Sequence, residues 1–386
     1  MKCAIWDSFK NICKLKEKME MLNLDVDLCY MWIDDARLED CIREGLNCVS
    51  YQRILELWDM AEIDAVIISA EKGDQTQANN IWGRIERLKN GGIGEIYVIP
   101  ATLEKMPIEE MSEYDRNNFL VKEDEFTEPV VVKWLAFEGC NLNCSGCSHF
   151  APINKEPKML TIDELRRDLL QFKNKFHYIK NIEFLGGEPL LNKDIGEFVK
   201  EAHAIFPYAN IMIITNGLLI PTLKEEVLEA FSRCNVRVSV SLYEETDKLL
   251  NEIKVILEKY KIRLRLPSAK EKFRIQYNTV GSGDYVKNWY SCGDSFCHTI
   301  VNGKIAGCYY AVTVKHANAY FGLEIPHEEY EYDIYDEKLS AAEIIKKITV
   351  PTNLCSYCNC SNSNTPFATW KKAGKEKNIS DWFVDK

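Results

Sequence analysis

The sequence predicts an α/β protein made of two successive strand-and-helix units and a small cysteine-rich carboxyl-terminal segment. Three observations predict it. Short apolar runs alternate with amphipathic stretches over residues 1–100 and again from residue 129, the pattern that parallel sheets leave in a sequence. Apolar residues make up 46% of the 386, spread along the chain with no run approaching eighteen, which predicts buried cores and argues against a membrane span. Of fifteen cysteines, five are scattered before residue 50 and nine form three knots beyond residue 139, with Cys234 alone between them.

In the first unit the strands read as "CAIW", "VDLCYMWI", "DAVIIS" and "EIYVI", with helices ending near Met21, spanning about 38–45, and spanning about 75–89. The last carries Ile81, Ile85 and Leu88 on one face and stops at Asn90-Gly91-Gly92, a C-cap signal. After the first strand stands "WDSFKN", which has no glycine, whereas a dinucleotide-binding turn needs glycines to let its backbone approach a pyrophosphate. Two roles stay open, a docking or oligomerisation element and a nucleotide or nucleotide-sugar site. With Asp34 and Asp35 after the second strand and the segment "CVSYQRILEL", the unit resembles the small Rossmann-like domain that precedes the acyltransferase body in some sugar-modifying enzymes. Residues 101–128 lose the apolar periodicity and gain charge, which reads as a linker.

The second unit, over 129–285, begins with "VVVKWLAF" and continues through "NIEFL", "NIMIIT", "VRVSVSL", "IRLRL" and "FRIQYNT". Six strands separated by helices predict a parallel sheet curled into a partial barrel. Thr161 with Glu164, and Thr222 with Glu225, mark two helix starts as capping boxes. Ile195, Phe198, Val199, Ala202 and Ile205 form a stripe that reads as core.

Charge and context narrow the function. A net charge of −11 argues against a nucleic-acid partner, which requires a basic surface. The start "MKCAIWDSFK" lacks the pattern of a secretory signal, so a cytoplasmic location is expected, where clustered cysteines point to metal or redox chemistry rather than disulfides.

The first knot, "CNLNCSGC", holds Cys140, Cys144 and Cys147 directly after the first strand of the second unit, at the sheet edge where parallel α/β proteins gather ligands. A structural zinc takes four protein ligands, and His149 offers a fourth; a four-iron cubane can accept three thiolates and leave one iron open. The next strand ends in "GGEP", where Gly186 and Gly187 permit close backbone approach and Glu188 can accept from an ammonium group.

The second set comprises Cys292, Cys297, Cys308, Cys355, Cys358 and Cys360. Asn302-Gly303 is a strong hairpin signal. A turn centred there pairs residue i with 605 − i, setting Cys297 opposite Cys308 with Cβ atoms roughly 4.5–5.5 Å apart. "CSYC" adds Cys355 and Cys358, giving four sulfurs for a zinc ion or an iron–sulfur cluster.

C-x3-C-x2-C followed one β–α unit later by GGEP resembles the radical S-adenosylmethionine (radical SAM) superfamily from about residue 130 to 290. The resemblance implies a 4Fe–4S cluster on Cys140, Cys144 and Cys147, and SAM bound to its open iron. It also implies SAM contacts from Gly186, Gly187, Glu188 and Pro189, and from Thr215, Asn216 and Ser239 or Ser241 on the next two strands. One residue departs: the position before the third cysteine, often aromatic in the family, is Gly146. Residues 286–386 resemble the auxiliary-cluster extensions called SPASM and twitch, with Cys297, Cys308, Cys355 and Cys358 as ligands. Ten residues separate Cys292 from Gly303 and four separate Gly303 from Cys308, which fits the same extensions and makes Cys292 the alternative to Cys297. The cysteines left over, Cys292 and Cys360, become candidate hydrogen-atom donors. The implied activity is reductive SAM cleavage, with oxidation or epimerisation of a carbohydrate or nucleotide sugar. Modification of a ribosomally made peptide and a non-enzymatic iron–sulfur or zinc scaffold are the alternatives, and flavodoxin or ferredoxin would be the electron donor.

Overall fold

The computed structural model describes residues 1–6, 12–32, 47–70, 81–267 and 271–384, which form two compact units, Met1–Glu128 and Pro129–Lys386. The "WDSFKN" turn beyond Trp6, Asp34, Asp35, Cys41, the expected helix over 38–45 and the start of the one near 75 lie outside the described residues.

In the first unit β1 (Lys2–Trp6), β2 (Asp27–Trp32), β3 (Asn47–Val49), β4 (Ala65–Ser69), β5 (Ile96–Ile99) and β6 (Val121–Lys122) lie in the order β3-β2-β1-β4-β5-β6. The first five are parallel, the arrangement of a doubly wound sheet, and β6 runs antiparallel at the edge. β1 and β4 are almost wholly buried because helices α1 (Ile12–Met21), α2 (Tyr51–Asp59) and α3 (Ile81–Asn90) accompany an interior of Ile, Val and Ala side chains. α3 ends as its sequence predicts: Gly92 takes φ +88° and the Ile93 amide returns to the Leu88 carbonyl. Residues 101–128, expected as a linker, fold into this unit as α4 (Ala101–Lys105), α5 (Glu113–Asn117) and β6. Their charges misled the reading because the anchors are few and widely spaced: Phe119 and Phe126 are buried, and the buried Glu128 carboxylate accepts from the Ala101 and Thr102 amides to cap α4.

The second unit carries an eight-stranded sheet. β7 (Val131–Phe137), β8 (Asn181–Gly186), β9 (Asn210–Thr215), β10 (Arg237–Val240) and β11 (Arg263–Arg265) are neighbours in sequence order and all parallel. Helices α6 (Ile162–Phe176), α7 (Ile195–Ile205), α8 (Glu225–Arg233), α9 (Glu244–Asp247) and α10 (Leu250–Lys259) connect them. This is the mixed α/β fold with parallel sheets that the sequence predicts. α6 starts with the expected capping box at Thr161 and Glu164. The one expected at Thr222 does not form: Thr222 closes a 3-10 turn by donating to the Leu219 carbonyl, and α8 begins after Lys224. Ile195, Phe198, Val199 and Ala202 are buried as expected.

The sixth strand is the main difference. "FRIQYNT" splits into β12 (Lys272–Arg274) and β13 (Tyr277–Asn278), which leave the sheet; after α11 (Tyr285–Tyr290), β14 (Cys297–Val301) takes the place beside β7, in parallel. β15 (Lys304–Ala306) and β16 (Glu331–Asp333) extend that edge antiparallel. The Asn302-Gly303 turn has φ of +51° and +73° and keeps the expected register, Thr299 opposite Ala306 and Val301 opposite Lys304. Beyond it come α12 (Tyr309–Phe321), α13 (Ala341–Ile348), β17 (Phe367–Thr369), which pairs with β12, and β18 (Phe383–Val384), which pairs with β13. Among the described residues no helix is long and apolar enough to cross a membrane.

Candidate active site

The first cysteine loop leaves the carboxyl end of β7 and turns tightly, with Asn143 at φ +54°, Gly146 at +72° and Phe150 at +55°. These left-handed residues fold Cys140, Cys144 and Cys147 back toward one another, so that each thiol lies within the electrostatic reach of another. Burial pushes the Cys144 thiol up to about 12, opposed by the indole N–H of Trp370, which donates to its Sγ at 3.1 Å. Burial likewise raises Cys147 to about 11, against amides of His149, Ala151 and Phe150 turned toward its sulfur. Cys140 is raised by the same cause, and its Sγ accepts from the Leu142 amide at 3.4 Å and from Asn216 Nδ2 at 3.8 Å.

The glycines of GGEP are required by the chain itself. A Cβ on Gly186, whose φ is +141°, would stand 2.1 Å from the Phe137 carbonyl oxygen, and one on Gly187 would stand 2.2 Å from that of Gly139. The two strand ends therefore lie backbone to backbone, and the Gly187 and Glu188 amides donate to Phe137 and Gly139. Pro189 starts a buried 3-10 turn.

Glu188 was expected to face a ligand ammonium, and the structure turns it inward. It is fully buried, and its carboxylate accepts from the Leu190 amide at 3.0 Å, the Thr215 hydroxyl at 2.6 Å and the Asn216 amide at 2.8 Å. Burial still raises its pKa to about 7, above the ordinary carboxylate value. The reason lies in the end of β9: Thr215 and Asn216 leave the strand where their donors would otherwise be unpaired, and a carboxylate is the acceptor that satisfies several at once. Asn216 passes the connection on through Nδ2 to Asn141 Oδ1 at 2.7 Å, beside Cys140. Ser239 is buried on β10, and the Ser241 amide donates to the Thr215 carbonyl at 2.8 Å. Glu188→Gln is expected to lower the unfolding free energy of the ligand-free protein by roughly 1–3 kcal/mol, because an amide nitrogen meets one of these donors. Denaturant unfolding without SAM checks this; a carboxylate that only anchored a ligand would leave that value unchanged.

The second set gathers differently from the expectation. Cys292, Cys308, Cys355, Cys358 and Cys360 line one largely apolar cavity, together with Asn288, Trp289 and Ile348. Cys292 and Cys360 are hydrogen-bonded to each other, which with burial raises Cys292 strongly; burial and the neighbouring Cys355 and Cys292 do the same for Cys308. Cys297 is absent from this cavity. The register that sets it opposite Cys308 is kept, but the ladder stops at Thr299: Cys308 departs as the N-cap of α12, while Cys297 joins β7 opposite Val131. Its thiol is hydrogen-bonded with Lys133 and Asp294, and burial raises it to about 12. The candidate hydrogen donors Cys292 and Cys360 thus stand among the clustered thiols. The residue that organises them, Asn288, carried no sequence signal: its Nδ2 donates to the Cys355 and Cys358 carbonyls at 3.0 and 2.5 Å, and its Oδ1 accepts from Ser361.

Between the two cysteine sets lies a charged group that the sequence reading also missed. Lys133, on β7, stands 3.2 Å from Asp294 and 4.0 Å from Glu183 on β8, with side chains of Lys133 and Glu183 only 7% and 2% exposed. Burial alone would neutralise the lysine; the Asp294 and Glu183 carboxylates beside it outweigh that and keep the ammonium charged. Asp294 is deep in the unit yet keeps 40% of its side-chain surface open. His149, the candidate fourth zinc ligand, instead stacks on Tyr309 with centroids 4.7 Å apart, and burial lowers its pKa to about 4.

Among the described residues no three His, Cys, Asp or Glu side chains converge closely enough to share one metal ion. A tetrahedral zinc with Zn–S bonds of roughly 2.3 Å draws its thiolates to within roughly 4 Å of each other. A cubane seats each thiolate on a different iron and takes them farther apart. The first loop fits the latter: three thiols within electrostatic reach, surrounded by N–H donors, each too buried to ionise without a cation beside it.

Residues 134–282 match the model of the radical SAM superfamily. The GTP 3',8-cyclase of Helicobacter pylori (strain HPAG1) is 29% identical over 136 residues, 33% of this chain and 42% of that enzyme. The PqqA peptide cyclase of Bradyrhizobium diazoefficiens is 30% identical over 122 residues, 32% of this chain and 31% of that one. The chain therefore spans less than half the length of these curated relatives. Of solved structures, BtrN in complex with AdoMet and 2-DOIA is 16% identical with a TM-score of 0.37, covering 59% of this chain and 92% of BtrN. Streptococcus suis SuiB bound to the precursor peptide SuiA is 14% identical with a TM-score of 0.34, covering 61% and 70%. With its cysteine loop and GGEP turn joined at adjacent strand ends, the segment from 134 to 282 is the part of the chain that is similar to the radical SAM superfamily domain.

Proposed function

We propose that the protein is a radical SAM enzyme with a second, auxiliary iron–sulfur cluster, acting on a polar small molecule held in the barrel. The observation that carries the reading is the continuous network from Cys140 through Asn141, Asn216 and Thr215 to Glu188, which locks the cysteine loop, the GGEP turn and the end of β9 into one frame. When bound, the cluster and SAM supply an electron and a 5'-deoxyadenosyl radical able to take a hydrogen atom from carbon. Cys140, Cys144 and Cys147 would hold the cluster. Gly186 and Gly187 keep the strand ends close, and Glu188 acts on SAM through the Thr215 hydroxyl and Asn216 amide that it fixes.

The five-cysteine cavity would hold the auxiliary cluster, with Cys308, Cys355 and Cys358 as ligands and Cys292 replacing Cys297. Cys360 is then the spare thiol, or a ligand in place of Cys292. Lys133, Glu183 and Asp294 would orient the substrate: buried charges in a barrel interior that is ordinarily filled by branched apolar residues are the mark of binding rather than packing, and Asp294 offers an open acceptor to a hydroxyl or amine. The expected carbohydrate gains no support from the relatives, whose names include a peptide cyclase, so a peptide side chain is the second reading. Anaerobic incubation with SAM and dithionite, with mass spectrometry on sugars, nucleotide sugars and lysine-bearing peptides, tests both. The absence of 5'-deoxyadenosine with every substrate and without one would reject the enzyme.

A further inference from the structure

The carboxyl-terminal segment from Trp370 to Trp382 is bound to the first cysteine loop at both of its ends. The Ser145 amide donates to the Lys371 carbonyl at 2.9 Å, the Ala373 amide to the Asn143 carbonyl at 2.8 Å, and Asn143 Nδ2 returns to the Ala373 carbonyl at 3.1 Å. Trp382 Nε1 donates to the Cys147 carbonyl at 3.0 Å. A Cβ on Gly146 would stand 2.7 Å from the Asp381 carbonyl oxygen. The segment thus fills the space that a side chain at Gly146 would need, which explains why the aromatic residue expected there is missing. Trp370 packs against Tyr243 with ring centroids 5.7 Å apart and presents its N–H to Cys144 Sγ. The neighbouring Lys372 pairs with Glu245 at 2.9 Å.

We infer that Trp370 is a positioning residue for the first cluster: its indole N–H fixes Cys144 and sets the electron density on that sulfur. This rests on Cys144 being a cluster ligand, as proposed above. The physical reason is general. A ligand thiolate gains negative charge when its cluster is reduced, so an N–H dipole aimed at the sulfur stabilises the reduced form and raises the reduction potential. Cys144 is 6% exposed, so little water competes for that sulfur. The donor comes from 226 residues downstream, which ties completion of the cluster site to docking of the end of the chain.

The test uses the full chain, reconstituted without oxygen. Trp370→Phe keeps the ring and removes the donor; 3-benzothienylalanine at position 370 does the same with the shape of the indole retained. Lys371→Ala, which removes the ion pair with Asp381 at 3.3 Å, loosens the same segment without changing the charges that act on the sulfur. The expected result for both Trp370 replacements is full iron content, a midpoint potential lower than wild type in an electron-paramagnetic-resonance titration of the SAM-responsive cluster, and iron release to a chelator on the order of tenfold faster, the size of one hydrogen bond to a charged group. Lys371→Ala is expected to match wild type. Wild-type potential and release rate in both replacements would overturn the inference while leaving the cluster assignment standing, and an equal shift in Lys371→Ala would reduce Trp370 to general packing. A wild-type protein whose iron is insensitive to Cys144→Ala would overturn both this inference and the assignment beneath it.

Discussion

Cys144→Ala is expected to abolish 5'-deoxyadenosine formation and to lower bound iron from roughly eight to roughly four per chain, the difference of one cubane. Cys144 is the middle cysteine of the loop and the most buried of the three, at 6% exposure. The loop meets the carboxyl-terminal segment there, through the Trp370 N–H and the bridge to Lys372. Two thiolates cannot replace three, because the open iron that takes SAM exists only when the other three are held. The fold should survive. Removing one sulfur from a buried site costs about 1–2 kcal/mol, and the loop keeps its backbone hydrogen bonds to Lys371 and Ala373. Iron analysis, circular dichroism and chromatography of the nucleoside product check the three parts separately. Continued 5'-deoxyadenosine production by a folded variant would sink the assignment of this loop.

What the sequence made legible was local. The first five strands of the second unit, the capping box at Thr161 and the Asn302-Gly303 register depend on residues a few positions apart, and these formed as expected. The cysteine loop and the GGEP turn were legible because each occupies a strand end whose strand is itself a clear apolar run. Long-range pairings were not. β14 lies beside β7 across more than 160 residues of chain, and nothing in "CHTIV" distinguishes a strand of the parallel sheet from a hairpin arm. The inward turn of Glu188 was hidden for a related reason: its partners Thr215 and Asn216 stand 27 and 28 residues away, so the residue read as ligand-facing when only its own turn was visible. Lys133 and Glu183 carried no signal in the sequence, since alternation cannot say that both faces of a strand are enclosed.

Cys308→Ser is expected to remove roughly four irons per chain while 5'-deoxyadenosine still forms, and Cys297→Ser to remove none. The contrast follows from where the two residues stand. Cys308 lines the cavity with Cys292, Cys355, Cys358 and Cys360, within electrostatic reach of Cys355 and Cys292. Cys297 does not line that cavity and is hydrogen-bonded with Lys133 and Asp294, where the neighbouring charges are a lysine and carboxylates rather than thiols. A serine at 308 keeps the shape of the N-cap of α12 and can still cap it, so a loss of iron there reports ligation rather than unfolding. Cys297→Ser should instead disturb the Lys133 group, and with it substrate turnover, at unchanged iron. Cys292→Ala and Cys360→Ala, made separately, then decide the fourth ligand, since the one that holds iron loses it and the other does not. Stoichiometric zinc in the wild type, with only about four irons, would make the cavity a zinc site and remove the auxiliary cluster. Iron lost from both Cys297→Ser and Cys308→Ser would return the ligands to the hairpin pair that the spacing alone suggested, against the position in which β7 holds Cys297.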